Sequence, residues 1–187
     1  FLSTPFVLPL LSENGHNDLA YSIMFGDENP SWFYQVKNGA TTVWEMWDSI
    51  QTTGNVTKTS QNQPGLTTVG NWLYRFVGGI DTAAPGYKHI NIGPQPNERL
   101  SSARVRYESS YGPIASSWER SGGRTRLAVS IPGNTTASVR LDGAAFANVT
   151  EGGSALRWRD GILSARQVAG AVVVEVGSGD YVFEYAG

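Results

Sequence analysis

The 187 residues carry 14 Lys and Arg against 16 Asp and Glu, a formal net charge of −2, and this near-balance leaves no basic footprint for nucleic acid or an anionic membrane. With 40% hydrophobic and 16% charged residues the chain reads as globular, and no apolar run approaches the roughly 18 residues of a membrane span. There is no Cys and there are only two His, His16 and His89, which excludes disulfides, Cys-based zinc sites, thiol catalysis and iron–sulfur clusters.

From the start of the chain, Phe1–Leu11 is apolar, but Pro5 and Pro9 interrupt it and no basic region precedes it, so it does not read as a secretory leader. The pattern predicts a helix over Asn17–Phe25 with Leu19, Ala20, Ile23 and Met24 inward. A short helix is predicted to start at Pro30, where Pro suits the first turn, and to stop at Asn38–Gly39. Gln51–Gly65 is polar and aperiodic, which predicts a loop of about 15 residues. Val69, Trp72, Leu73, Phe76, Val77 and Ile80 repeat at helical spacing and predict one apolar stripe ending at Gly78–Gly79.

Composition changes near residue 86. Before it stand three basic residues (Lys37, Lys58, Arg75) and four of the six Trp; after it stand ten Arg and Lys88. The Asp81–Gly86 segment, DTAAPG, is the predicted join, giving units 1–82 and 83–187. Beyond it the period becomes two: Leu127, Val129 and Ile131, then Ala137, Val139 and Leu141, then Val172, Val174 and Val176, then Tyr181, Phe183 and Tyr185. Glycine-rich turns separate these runs, and the spacing predicts an antiparallel β-sandwich. The fold class is therefore α+β, helices followed by a sandwich.

No phosphate-binding glycine loop and no Gly-x-Ser-x-Gly elbow occurs, so phosphate cradles and serine-elbow hydrolysis are not indicated. What remains is carboxylates among aromatics, a combination suited to sugars, because rings stack on apolar sugar faces and carboxylates supply acid and base for glycosidic cleavage. Glu45 lies between Trp44 and Trp47, and burial there would make it a general base. The alternative is a half-buried Glu bonded to backbone with both Trp in the core.

Asn29-Pro30-Ser31-Trp32-Phe33-Tyr34 and Lys37-Asn38-Gly39-Ala40-Thr41-Thr42-Val43-Trp44-Glu45-Met46-Trp47-Asp48 resemble the family 78 glycoside hydrolases, the α-L-rhamnosidases. So do Val69-Gly70-Asn71-Trp72-Leu73-Tyr74-Arg75, Pro85-Gly86-Tyr87-Lys88, Ser116-Ser117-Trp118-Glu119 and Ile131-Pro132-Gly133-Asn134, in order over nearly the whole chain. The resemblance implies that 1–82 are the last helices of an incomplete (α/α)₆ catalytic barrel and that the rest is the C-terminal β-sandwich. Phe1–Leu11 then reads as a barrel helix lacking its neighbours, and the start at Phe1 as a cut. It further implies inverting hydrolysis of terminal α-L-rhamnosides, with Glu45 as the base, Trp32, Trp44 and Trp47 walling the sugar pocket, and the general acid outside this chain. The implied partners are a rhamnose-containing glycoside or polysaccharide and the remainder of the barrel; no metal and no cofactor is implied. One stretch departs from the family pattern: where the family has a sugar-binding His, this chain has Gln63, followed by Pro64. That departure supports a rival reading, a non-catalytic carbohydrate-binding or structural module.

Asp18, Asp27 and Glu28 read as structural or solvated residues, His16 as a surface residue and His89 as packed at the start of the sandwich. The Arg residues read as a solvated strand face. Trp118 and Trp158 read as core in preference to a carbohydrate platform. Asn55, Asn134 and Asn148 each open an Asn-x-Thr sequon, compatible with a secreted, extracellular glycoprotein.

Overall fold

The computed structural model describes residues 3–51, 54–157 and 161–186. Trp158, weighed above as a core residue, lies outside the described residues. The chain divides into two compact units, Phe1–Leu73 and Tyr74–Gly187.

The first unit begins with a helical hairpin, α1 (Thr4–Glu13) and α2 (Asn17–Met24). Gly15, at φ 80°, turns the chain between them. Pro5 occupies the first turn of α1 and Pro9 lies inside it. The hairpin is closed by Ser12, which is buried: its hydroxyl donates to Asn17 Oδ1 at 2.9 Å and accepts the Trp72 indole N–H at 2.8 Å. Trp72 also meets the Tyr21 ring edge-on at 5.0 Å. On α2 the inward residues are Ala20 and Tyr21, whereas Leu19, expected inside, is 52% exposed. Packing of Tyr21 on Trp72 fixes which side of the helix faces inward, and Leu19 falls on the other. Phe6 and Leu10 of α1 are likewise exposed.

Helix α3 runs over Trp32–Lys37 and not from Pro30. Ser31 is its cap, the hydroxyl accepting the Tyr34 N–H at 2.9 Å, which satisfies one of the donors a helix start leaves open. The predicted 51–65 loop is folded back on the segment before it. Ile50 and Val56 form a bridge, Thr57 N–H donates to Ser49 C=O at 2.8 Å, and Gln63 N–H donates to Val43 C=O at 3.0 Å. The described residues of the 43–63 stretch thus pair as an irregular antiparallel hairpin, residues 52 and 53 of the predicted loop lying outside the described residues.

The predicted helix from Val69 is shorter than its apolar stripe. α4 (Val69–Trp72) passes into a π-helical turn, Leu73–Val77, and Ile80 opens strand β1 (Ile80–Thr82). Gly79 makes the switch. Its φ is 77°, and a Cβ there would lie 2.2 Å from the Pro94 backbone nitrogen.

The second unit is a sandwich of two sheets. One orders β1, β2 (His89–Ile92), β6 (Thr136–Asp142), β10 (Ala171–Val176) and β9 (Ile162–Val168). The other orders β3 (Ser102–Ser109), β4 (Gly112–Ser121), β5 (Arg124–Ile131), β11 (Gly179–Ala186) and the short β7 (Thr150–Glu151) and β8 (Ser154–Ala155). All four period-two runs named from the sequence are buried, from Leu127–Val129–Ile131 to Tyr181–Phe183–Tyr185. The sandwich is antiparallel except at one pair: β2 and β6 are parallel, His89 opposite Thr136 and Ile92 opposite Val139. Strands β3, β4 and β5 intervene in sequence and belong to the other sheet, so the chain returns to its first sheet in the same direction.

Trp118 is core, 1% exposed, and its indole N–H donates to the Val77 C=O at 2.7 Å. His89 lies on β2 between the Thr136 hydroxyl at 2.7 Å and the Ser138 hydroxyl at 2.9 Å. Arg104, Arg106, Arg124, Arg126, Arg140 and Arg166 are exposed on strands. Asn55, Asn134 and Asn148 are exposed, Asn134 in a turn at φ 61°. No helix among the described residues is long and apolar enough to cross a membrane.

Burial pushes the Tyr185 phenol up from 10.0 to about 12, with Asp142 adding to the rise and the Thr125 hydroxyl and Arg120 opposing it. The folded chain therefore holds this proton more tightly than the unfolded chain. Stability is unaffected by Tyr185 below pH 10 and falls between pH 10 and 12, by ~2–3 kcal/mol in all. Urea titrations across that range should show the decline, and Tyr185→Phe should lessen it, the raised Tyr21 and Tyr181 phenols supplying the remainder.

Candidate active site

Glu45 sits on the 43–63 hairpin and is half-buried. Its backbone N–H donates to Ser60 C=O at 2.9 Å, and its Oε2 accepts the Ser60 N–H at 2.9 Å. The opposite strand thus fixes both the backbone and the carboxylate. A carboxylate offers about four lone-pair positions on two oxygens, so a single backbone donor orients it and leaves capacity to take a proton from water.

A second clamp comes from α3. Gln35 is 2% exposed, its Oε1 accepting the Trp44 N–H at 3.4 Å and its Nε2 donating to the Met46 C=O at 3.3 Å. One side-chain amide therefore holds the residues on both sides of Glu45. Nothing in the sequence pattern singled out Gln35, since an amide matched to two backbone groups has no periodic signature. Ser49, also buried, supports the next turn: its hydroxyl reaches the Thr59 hydroxyl at 2.9 Å.

The three indoles expected around the sugar are placed differently from one another. Trp44 is 1% exposed and enclosed. Trp32 is buried, with its N–H donating to Leu66 C=O at 2.9 Å, and Trp47 packs edge-on against it at 4.8 Å and 89°. Trp47 is the one of the three that keeps appreciable exposure. Gln63 uses its Oε1 to accept the Gly65 N–H at 2.5 Å, so its side-chain carbonyl closes a local turn. α3 therefore gathers the Glu45 hairpin, Trp32, Trp47 and the Gln63 strand in one unit.

Asp18 lies in the first turn of α2, where an acid suits the helix N-terminus, and His16 is the exposed residue before it. Asp27 pairs with Lys37 at 2.9 Å on the surface, and Glu28 is exposed. Among the described residues there is no group of three or more His, Asp or Glu placed to hold a metal ion.

Comparison with known proteins gives two consecutive family matches. Residues 1–77 match the bacterial alpha-L-rhamnosidase 6 hairpin glycosidase domain, and residues 79–155 match the bacterial alpha-L-rhamnosidase C-terminal domain. An alpha-L-rhamnosidase of Streptomyces avermitilis is 36% identical over 187 residues, 98% of this chain and 17% of the relative. One of Formosa agariphila is 38% identical over 144 residues, 75% of this chain and 16% of the relative. The crystal structure of Streptomyces avermitilis alpha-L-rhamnosidase complexed with L-rhamnose superposes with a TM-score of 0.86 at 35% identity, over 97% of this chain and 17% of that one. The chain thus spans about a sixth of the length of these relatives, and it belongs to the bacterial α-L-rhamnosidases of glycoside hydrolase family 78, as the end of the six-hairpin glycosidase domain followed by the C-terminal domain.

Proposed function

We propose that this chain is part of an enzyme that hydrolyses terminal α-L-rhamnosides with inversion, and that Glu45 is the general base. The observation that carries the reading is the double fixation of Glu45, through Ser60 on its carboxylate and Gln35 on the peptides either side. A base must be held within hydrogen-bond reach of the water it activates, and such fixation serves that need. The relative's L-rhamnose complex supports the substrate class. Inversion needs a second carboxyl group about 6.5–9.5 Å away to protonate the leaving oxygen. That acid lies in the remainder of the barrel, whose helices would also cover the exposed Phe6, Leu10 and Leu19.

The test compares rhamnose release from an aryl α-L-rhamnoside by the complete protein and by these 187 residues alone. The complete protein is expected to turn over and the isolated chain is not, because one carboxylate cannot serve as both acid and base. Turnover by the isolated chain would overturn the division of roles.

A second reading, a non-catalytic carbohydrate-binding or structural module, is favoured by Gln63, whose carbonyl is engaged by Gly65. It predicts that the complete protein releases no rhamnose.

A further inference from the structure

At one end of the sandwich, residues Thr82–Tyr87, the Tyr107–Ser109 end of the edge strand β3 and Ser110 of the following turn line a cleft of about 620 Å³. That size falls within the ~300–1,000 Å³ of small-molecule sites. Its lining combines the rings of Tyr87 and Tyr107 with the polar Thr82, Glu108, Ser109 and Ser110. Tyr87 and Tyr107 lie 4.6 Å apart with their rings tilted by 39°, and Tyr74 supports Tyr107 edge-on at 6.3 Å. Tyr107 is 37% exposed, although alternation along β3 puts it on the side of Val105, which points inward. The strand outruns its cover there and leaves an aromatic ring open.

Glu108, which pairs with the exposed Arg106 at 2.7 Å, also lines the cleft, and Ser109 and Ser110 add hydroxyl groups. A carboxylate has two oxygens and can accept from adjacent hydroxyls on one sugar ring. The backbone supplies a further sign. Tyr87 has φ 67°, directly after Gly86 at 68°. A bulky residue is rarely held left-handed, and here the conformation brings its ring against Tyr107. Burial raises the Tyr87 phenol above its ordinary range, with Tyr107 adding to the rise.

We infer that this cleft binds a neutral oligosaccharide, with Tyr87 and Tyr107 stacking on sugar rings and Glu108 taking vicinal hydroxyls. Aromatic faces beside hydroxyls and a carboxylate suit a ligand that is apolar on its ring faces and hydroxylated at its edges. The ligand class follows from the lining; that the oligosaccharide is a rhamnoside rests on the function proposed above. The cleft would hold part of a long glycan while its terminal residue is cleaved elsewhere.

The test is an NMR titration of the full chain with ¹³C-labelled tyrosine, using an α-L-rhamnosyl trisaccharide and, separately, maltotriose. Saturable shifts of Tyr87 and Tyr107 with the rhamnosyl sugar are expected, with affinity about tenfold weaker in Tyr107→Ala and in Glu108→Ala. Glu108 is two-thirds exposed, so its removal keeps the fold even if Tyr107→Ala does not. In the complete protein both variants should leave turnover of a small aryl rhamnoside unchanged. Shifts with maltotriose alone would support the cleft and overturn its assignment to rhamnosides. No shift with either sugar up to about 10 mM would overturn the cleft itself, whatever the fate of Glu45.

Discussion

Glu45→Gln in the complete protein is expected, on the proposed function, to lower kcat by about 10²–10⁴-fold while leaving the fold intact, the range that loss of a general base commonly produces. Gln keeps a carbonyl oxygen in the place of Oε2, so the bond from Ser60 N–H survives and the hairpin stays closed. What is lost is the capacity to take a proton at neutral pH. Gln35→Leu separates position from chemistry. It keeps the carboxylate but releases the Trp44 N–H and the Met46 C=O from a buried partner, which destabilises the hairpin by about 1–3 kcal/mol. Its rate should fall less than that of Glu45→Gln and with the same pH profile. Steady-state kinetics on an aryl α-L-rhamnoside checks both variants. A Glu45→Gln enzyme within a factor of a few of wild type would return Glu45 to a purely structural role, that of tying two hairpin strands together.

In the sandwich the largest effect is expected at Trp118. The side chain is 1% exposed, lies opposite Ala103 and Leu127 on neighbouring strands, and donates its N–H to the last carbonyl of the π-helical turn. Trp118→Ala removes the ring and leaves a cavity, costing about 3–5 kcal/mol. Trp118→Phe keeps most of the volume and loses the bond to Val77, costing about 1–3 kcal/mol. Urea unfolding of the chain followed by far-ultraviolet circular dichroism gives both values. Equal effects of the two substitutions would mean that the ring's packing matters little and the hydrogen bond carries the site.

The β-sandwich was legible because each strand has one buried face, and a period of two writes that face directly into Val172, Val174 and Val176 or Tyr181, Phe183 and Tyr185. The parallel β2–β6 pair was not, since the partner of His89 is 47 residues away and pairing direction depends on where the chain crosses between sheets. The stripe from Val69 to Ile80 carried helical spacing past the helix itself. Its last member is apolar because it faces the sandwich core as the first residue of β1, and the left-handed Gly79 separates the two roles.

The candidate site shows the same division. Glu45 was visible because its neighbours are tryptophans in a recognisable motif. Burial then distinguishes those tryptophans: Trp44 is enclosed, whereas Trp47 keeps part of its surface. Gln35 and Ser60 were invisible because both act through backbone groups brought together by folding. Tyr87 and Tyr107 were invisible as a pair because they come from a turn and an edge strand 20 residues apart and meet only at the end of the sandwich.

The most direct measurement is the configuration of the first sugar released by the complete protein from an aryl α-L-rhamnoside, followed by ¹H NMR before mutarotation. Attack by a water that Glu45 activates from the face opposite the leaving group yields β-L-rhamnose first, with the α-anomer appearing later at the rate of mutarotation. Initial release of α-L-rhamnose, or no release of rhamnose, would contradict an inverting rhamnosidase in which Glu45 serves as base.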